Sequence, residues 1–400
     1  MRTYFAVLIW STLATFFLTP LAKKVAFQWG AIDLPNERKI HNGAMPRLGG
    51  LAVFWGFCFP WIAFYFLENR LAIEFRDYET IFGVLLLGGT AMLGLGIYDD
   101  VKGIAPWQKL FFQLLIAVGL YFGGFQIVRL SNPFGDLWEL GWLSLPVSVL
   151  WIVGLTNAIN LLDGIDGLVT GITACVSLAL ALMNIMGNNT MVALLTLCLA
   201  GACLGFLPYN FSPARIFLGD SGSLFIGLIL ACTVMLSQHK ATTGTFVVVP
   251  LILLGLPLYD TATVVFGRMR RGQPIFRADR SHVHHRLLNQ GLSQKQTAWI
   301  LYGITVVLGV LAVLIVARQV QNSPPGLDRA IPTERAVLIS KQQFEFLLMG
   351  GVVLVSGVGL AIWRAWKLYT NKISPDGDRI YAGPYASPKP HLSSDPSTGR

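Results

Sequence analysis

The stretch that decides the fold reads LGWLSLPVSVLWIVGLTNAINLLDGIDGL, residues 140–168. It carries no charge before Asp163. The run 140–162 is therefore longer than the roughly 18 apolar residues expected of a bilayer-spanning helix. Near its end Asn157, Asn160 and Asp163 recur at intervals of three, which puts them on one helical face. A membrane helix that spends two amides and a carboxylate on one stripe presents oxygen ligands. Hard Mg²⁺ takes such oxygens and keeps waters and substrate phosphates in its remaining positions. Gly164 and Gly167 then allow backbone to approach a ligand closely. The blander alternative is polar contact between helices followed by a capped turn.

The rest of the chain repeats this design. Of 400 residues, 54% are hydrophobic and 13% charged, whereas a soluble domain carries about 25% charged residues. Further apolar runs occupy 3–21, 48–67, 81–98, 110–128, 167–186, 191–207, 221–237, 245–259, 298–317 and 346–363. With 140–162 they predict an all-α, polytopic integral membrane protein of about eleven transmembrane helices. Run 3–21 lacks a small-residue cleavage site and is followed by Lys23 and Lys24, so it reads as a retained first helix. If the N-terminus lies outside, segments 23–48, 98–109, 156–166, 208–222, 266–297 and the tail from 364 lie inside. These hold most of the 30 Lys and Arg, which predicts N-out, C-in. The net charge of +9 is then a topology signal and gives no sign of a nucleic-acid partner. The five cysteines sit in apolar runs without ligand spacing and read as small packing residues.

Orientation and motif position agree. From 140 to 259 the only acids are Asp163, Asp166 and Asp220, and each closes or opens an apolar run beside glycine. Asp99-Asp100 also closes a run, with Lys102 and Lys109 following. Two adjacent carboxylates repel, so one needs a nearby cation or a raised pKa. That suits a general base or a metal neighbour. In FLGDSGS, 217–223, Asp220 and Ser221 stand where they would cap a helix, and a helix N-terminus also favours phosphate. The first inside loop, DLPNERKIH at 33–41 followed by PRLGG at 46–50, offers Arg38, Lys39, His41 and Arg47 to an anion. The long loop 267–297 holds arginines and the triplet His282, His284 and His285. No cysteine or nearby acidic set completes a zinc site there, so anion recognition by Arg and His is the expected role.

Taken in order, DLPNERKIH…PRLGG, YDD, NAINLLDGIDGL, FLGDSGS and HVHH resemble the polyprenyl-phosphate N-acetylhexosamine-1-phosphate transferases, over about residues 1–320. The first-loop form resembles the branch that starts O-antigen, common-antigen or teichoic-acid-type polymers more than the MurNAc-pentapeptide branch. The resemblance implies transfer of a sugar 1-phosphate, most simply GlcNAc 1-phosphate, from a UDP-N-acetylhexosamine to undecaprenyl phosphate. The products are the polyprenyl-diphospho-sugar and UMP, with Mg²⁺ or Mn²⁺ required. It implies a multi-pass protein of the bacterial inner membrane with a cytoplasmic active site and, by analogy alone, a homodimer. By the same resemblance Asp220 is the leading metal ligand with Asn160 beside it. Asp99 is the base on the lipid phosphate, Asp100 shapes that site, and Lys109 neutralises phosphate. Gly164 and Phe217 hold the uracil, and His282, His284 and His285 contact diphosphate or sugar. Asn157, Asp163, Arg38 and His41 complete the substrate-binding set.

One membrane domain, 1–370, is expected, with its family core at 1–320, an additional helix at 344–366 and a Pro/Ser-rich tail at 371–400. The pairs Gly119/Gly123, Gly167/Gly171 and Gly201/Gly205 have the spacing of close helix packing. Two readings compete with the transferase. A phospho-MurNAc-pentapeptide transferase would use another donor. A transporter would place its polar residues at mid-membrane on broken helices, whereas these acids gather at helix ends.

Overall fold

The apolar runs fold as helices because no lipid-facing backbone group can go unpaired. The structure is a computed structural model, and it describes residues 2–33, 44–65, 79–130, 138–238, 248–272 and 282–322. In chain order come α1 (Arg2–Trp29), β1 (Ile32–Asp33), β2 (Met45–Pro46), α2 (Gly49–Tyr65), α3 (Glu79–Lys102) and α4 (Pro106–Phe122). There follow β3 (Arg129–Leu130), β4 (Trp138–Glu139), α5 (Ser144–Leu162), α6 (Leu168–Met186), α7 (Thr190–Asn210) and α8 (Gly219–Gln238). The described chain ends with α9 (Val248–Leu253), α10 (Gly255–Arg270), α11 (Val283–Asn289) and α12 (Gln294–Asn322). The two strand pairs are short antiparallel clips, β1 with β2 and β3 with β4. Among the described residues, seven helices are long and apolar enough to cross a membrane. The architecture is all-α and polytopic. Run 346–363, the tail, Arg38 and His41 lie outside the described residues.

Helix α8 is the axis of the bundle, with 89% of its apolar window buried, against 28% for α1 and 39% for α12. It packs on α3 and α5, while α7 lies between α1 and α6, and α12 closes on α6. All five cysteines are free, and they are buried or half-buried.

The described part of run 245–259, residues 248–259, does not form one helix. Chain α9 stops at Leu253 and α10 starts at Gly255. Pro257 has no N–H to donate to the Leu253 carbonyl, so the ladder is interrupted there. Pro60 inside α2 leaves the Gly56 carbonyl without its helical donor; the single Ser11 hydroxyl of α1 lies 2.9 Å from that oxygen and 2.6 Å from the Cys198 carbonyl of α7.

The glycine spacings divide. A Cβ on Gly205 would overlap the Thr12 carbonyl of α1, and one on Gly201 would press on the Leu8 carbonyl. Gly171 lies under the Tyr302 ring, whose hydroxyl donates to the Gly167 carbonyl. Gly123 meets Val84, but Gly119 has open space beside it. Gly205→Ala is therefore expected to destabilise by about 1–3 kcal/mol, because the obstructing atom is backbone. Gly119→Ala should stay within about 0.5 kcal/mol of the parent. Thermal unfolding of the two variants in one detergent checks the contrast.

Candidate active site

Helix α8 begins inside protein, so its first amide groups have no water to bond. Asp100, at the end of α3, supplies the acceptor. Its two carboxylate oxygens receive the Asp220 and Ser221 N–H groups, each at 2.9 Å. The Asp100 side chain has 0% exposure. Sequence reasoning placed Asp220 and Ser221 as their own cap; the acceptor instead comes from a distant helix and leaves the Asp220 carboxylate available. Arg47 balances Asp100 through Nε at 3.7 Å and reaches Asp33 through Nη1 at 3.6 Å. Arg47 thus lies between two carboxylates at the base of the node.

Glycines let this node close. Phe217 N–H donates to the Pro46 carbonyl at 2.8 Å, while Gly49 and Gly50 donate to Phe217 and Leu218 carbonyls at 3.0 Å each. PRLGG and FLGDSGS therefore run side by side. A Cβ on Gly50 would overlap Gly222, and one on Gly96 would overlap Ser221. Gly219 has φ +74°, and a Cβ there would overlap the Arg47 carbonyl.

Above this floor lies a charge cluster. Lys109, near the start of α4, sits 3.0 Å from Asp99 and 3.0 Å from Asp220. Its ammonium also lies 3.3 Å from Asn160 Oδ1. The Asn160 amide donates to Asp220 Oδ1 and to Ser223 Oγ, the latter at 2.8 Å. Asp99 accepts the Ile104 N–H at 3.0 Å. Side-chain exposure is 14% for Lys109, 13% for Asp99 and 21% for Asp220. The cluster is sheltered but open on one side. Asp163 stands next to it, and no described side chain pairs with its carboxylate. Burial, then the charges of Asp220 and Asp100, push it up to about 8.

Asn157 lies one turn deeper. Its amide donates to Gln113 Oε1 at 2.7 Å and to the Val153 carbonyl at 2.8 Å. Gln113 is fully buried, and its Nε2 has no partner among the described residues. The histidine loop reaches the cluster from the other side. His284 packs so closely on Gly164 that a Cβ there would overlap its Nε2. Neither ring nitrogen of His284 has a hydrogen-bond partner among the described residues. Burial, then His285, push its pKa down to about 3, so the ring is neutral. The His282 and His284 rings stack at 5.6 Å, and the His285 ring lies 4.4 Å from that of His284.

The structure thus gathers Asp99, Asp100, Lys109, Asn157, Asn160, Asp163, Gly164, Phe217, Asp220 and the three histidines at one end of the bundle. Asp166 departs from this group, because its carboxylate accepts the Ala214 N–H at 3.0 Å and ties a loop. Sequence reasoning missed Gln113, Ser223 and Asp260. Asp260 is the first acid after Asp220, and it stands 2.8 Å from His282 Nδ1. Nothing local marks it, so only the fold reveals the pairing. Asp220 and Asn160 carry the kind of oxygens a hard divalent cation takes, with the Asp163 carboxylate beside them, but both oxygens face Lys109 here, and among the described residues no three His, Cys, Asp or Glu side chains gather as a metal-holding group.

The model of glycosyl transferase family 4 matches residues 82–238. The chain is 37% identical over 306 residues to the Bacillus subtilis protein "Probable undecaprenyl-phosphate N-acetylglucosaminyl 1-phosphate transferase". That match covers 76% of this chain and 83% of the relative. It is 33% identical to decaprenyl-phosphate N-acetylglucosaminephosphotransferase of Mycobacterium tuberculosis H37Rv, over 73% of this chain and 77% of that protein. Identity to undecaprenyl-phosphate alpha-N-acetylglucosaminyl 1-phosphate transferase of Escherichia coli K12 is 28%, with 77% and 82% covered.

A carboxyl whose folded pKa is raised costs stability as pH climbs from the ordinary carboxylate range to about 8. Asp163→Asn should therefore stabilise the ligand-free protein, by more at pH 9 than at pH 5. Thermal melts of both proteins in chelator at the two pH values check it. An equal difference at both would refute the cause assigned to the shift.

Proposed function

The chain belongs to glycosyl transferase family 4, and on that premise we propose that it transfers N-acetylglucosamine 1-phosphate from UDP-GlcNAc to undecaprenyl phosphate. One observation carries the site assignment: Lys109 joins Asp99 and Asp220, from three different helices, at the bundle end where the other motifs meet. A phosphate oxygen of the lipid attacks the phosphorus that bears the sugar. The bond from that phosphorus to the bridging oxygen breaks, and UMP leaves. The new phosphorus–oxygen bond makes the polyprenyl-diphospho-sugar.

Two polyanions must meet for this, so charge placement matters more than proton transfer to the leaving group. Lys109 lowers the repulsion between them. Asp99, exposed on one side and hydrogen-bonded on the other, takes the proton of the lipid phosphate when one is present. Asp220 and Asn160 are the residues that would hold Mg²⁺, with Mn²⁺ as a substitute. When bound, that ion supplies charge neutralisation at the diphosphate. Asp163, Gly164 and Phe217 form the uracil side, and Asn157 supports that wall from below. Neutral His284 offers one donor and one acceptor to diphosphate or sugar, with His282 and His285 beside it. Asp100 stays off the substrate and fixes the start of α8.

The positive-inside bias supports a reading in which this end faces the cytoplasm at a bacterial inner membrane, on the side where UDP-sugars are made. The lipid enters sideways from the bilayer, and the nucleotide enters from water.

Purified protein should release UMP from UDP-GlcNAc only when undecaprenyl phosphate and Mg²⁺ are both present. Release with UDP-MurNAc-pentapeptide alone would move the chain to the other branch. Lipid-linked solute uptake without UMP would favour transport. Asp220→Ala is expected to lose at least ~10³-fold in turnover while still inserting in membranes. Asp99→Asn should lose about 10²–10⁴-fold, in the range of a missing general base. Near-parent turnover by Asp220→Ala would sink the metal assignment.

A further inference from the structure

We propose that Asp260 is a positioning residue that holds His282 with its proton on Nδ1, leaving Nε2 as the ring nitrogen that meets the sugar diphosphate. The ligand in this statement rests on the transfer reading above; the ring geometry does not.

Asp260 lies on α10 with 0% exposure. Its Oδ2 is 2.8 Å from His282 Nδ1, and its Oδ1 accepts the Val283 N–H at 2.7 Å. Both oxygens therefore face nitrogen donors from consecutive residues. An ionised carboxylate only accepts, so the hydrogen of the first contact sits on Nδ1. His282 is 4% exposed, which prevents the ring from turning freely. No described residue bonds its Nε2. The same ring stacks on His284, whose edge rests on Gly164. One carboxylate on α10 thus sets a tautomer and the seat of the second histidine. When the His282 ring is neutral, Nε2 accepts from a sugar hydroxyl. When the ring is charged, Nε2 donates to phosphate, and Nδ1–H stays on Asp260 in both states.

The rival view is that Asp260 only caps α11 through Val283. The two views separate in a double-mutant cycle on UMP release. Asp260→Asn has one acceptor oxygen for two N–H donors, so it should lose roughly 10–100-fold in kcat/KM, the cost of an outer-shell partner of a working histidine. On a His282→Gln background the same change should cost no more than about twofold, because the route through His282 is already gone. Asp260→Glu keeps two acceptors and should recover part of the loss. Full multiplication of the Asp260→Asn and His282→Gln effects, or parent-level turnover in Asp260→Asn, would overturn the proposal.

A second measurement covers a variant that fails to fold. Nitrogen-15 NMR of histidine-labelled parent protein, with His282 assigned by difference from His282→Gln, should show the Nδ1-protonated form. An Nε2–H neutral tautomer overturns the proposal. If the parent releases no UMP, the transfer reading falls, and the ring signals still decide the pairing.

Discussion

A helix that starts inside a membrane protein must find acceptors for its first amide groups, and α8 finds them in Asp100. Water would satisfy those groups at a surface, but α8 is the most enclosed helix of the bundle. A carboxylate is a strong acceptor and also complements the positive end of the helix dipole. Because Asp100 takes this task, Asp220 is freed to face Lys109 and Asn160. Asp99, its neighbour in sequence, instead faces Lys109 in the partly open charge cluster. Adjacent residues on one helix end thus divide between the cap of α8 and the charge cluster. Every other group in the site is placed relative to the start of α8.

Much of this was legible in the sequence, for physical reasons. Spanning helices announce themselves by length and lack of charge, so α5 ends within a residue of the place where Asp163 begins the polar segment. Stripes on a helix are equally plain, and Asn160 does meet Asp220 from the face that its spacing from Asp163 marked out. The spans were less exact where proline intervenes. The break between α9 and α10 depends on which carbonyl Pro257 leaves without a donor, a local detail that hydropathy averages away. Motif order identified the family, yet it did not say which of two neighbouring aspartates would turn inward.

What stayed hidden depends on contacts between distant segments. Gln113 is an unremarkable residue in an apolar run until Asn157 is seen bonded to it. Arg47 reads as one more cation of a basic loop, and only the fold shows that it faces Asp33 and Asp100. Asp166 sits in the same motif as Asp163 and does a different job, because its carboxylate faces the Ala214 amide. Such assignments are tertiary facts. No window of a dozen residues contains both partners.

The pairing of PRLGG with FLGDSGS has a consequence for biogenesis. Gly49 and Gly50 leave the ribosome long before Phe217 and Leu218, the residues whose carbonyls they bond. The early helices can enter the bilayer by their own hydropathy, but the reaction centre cannot exist until α8 arrives and slides its first turn beside them. A nascent chain is therefore a membrane protein well before it is an enzyme. Quality control that samples partly inserted chains meets an inert intermediate, in which the acidic and basic groups of the future site have not yet come together.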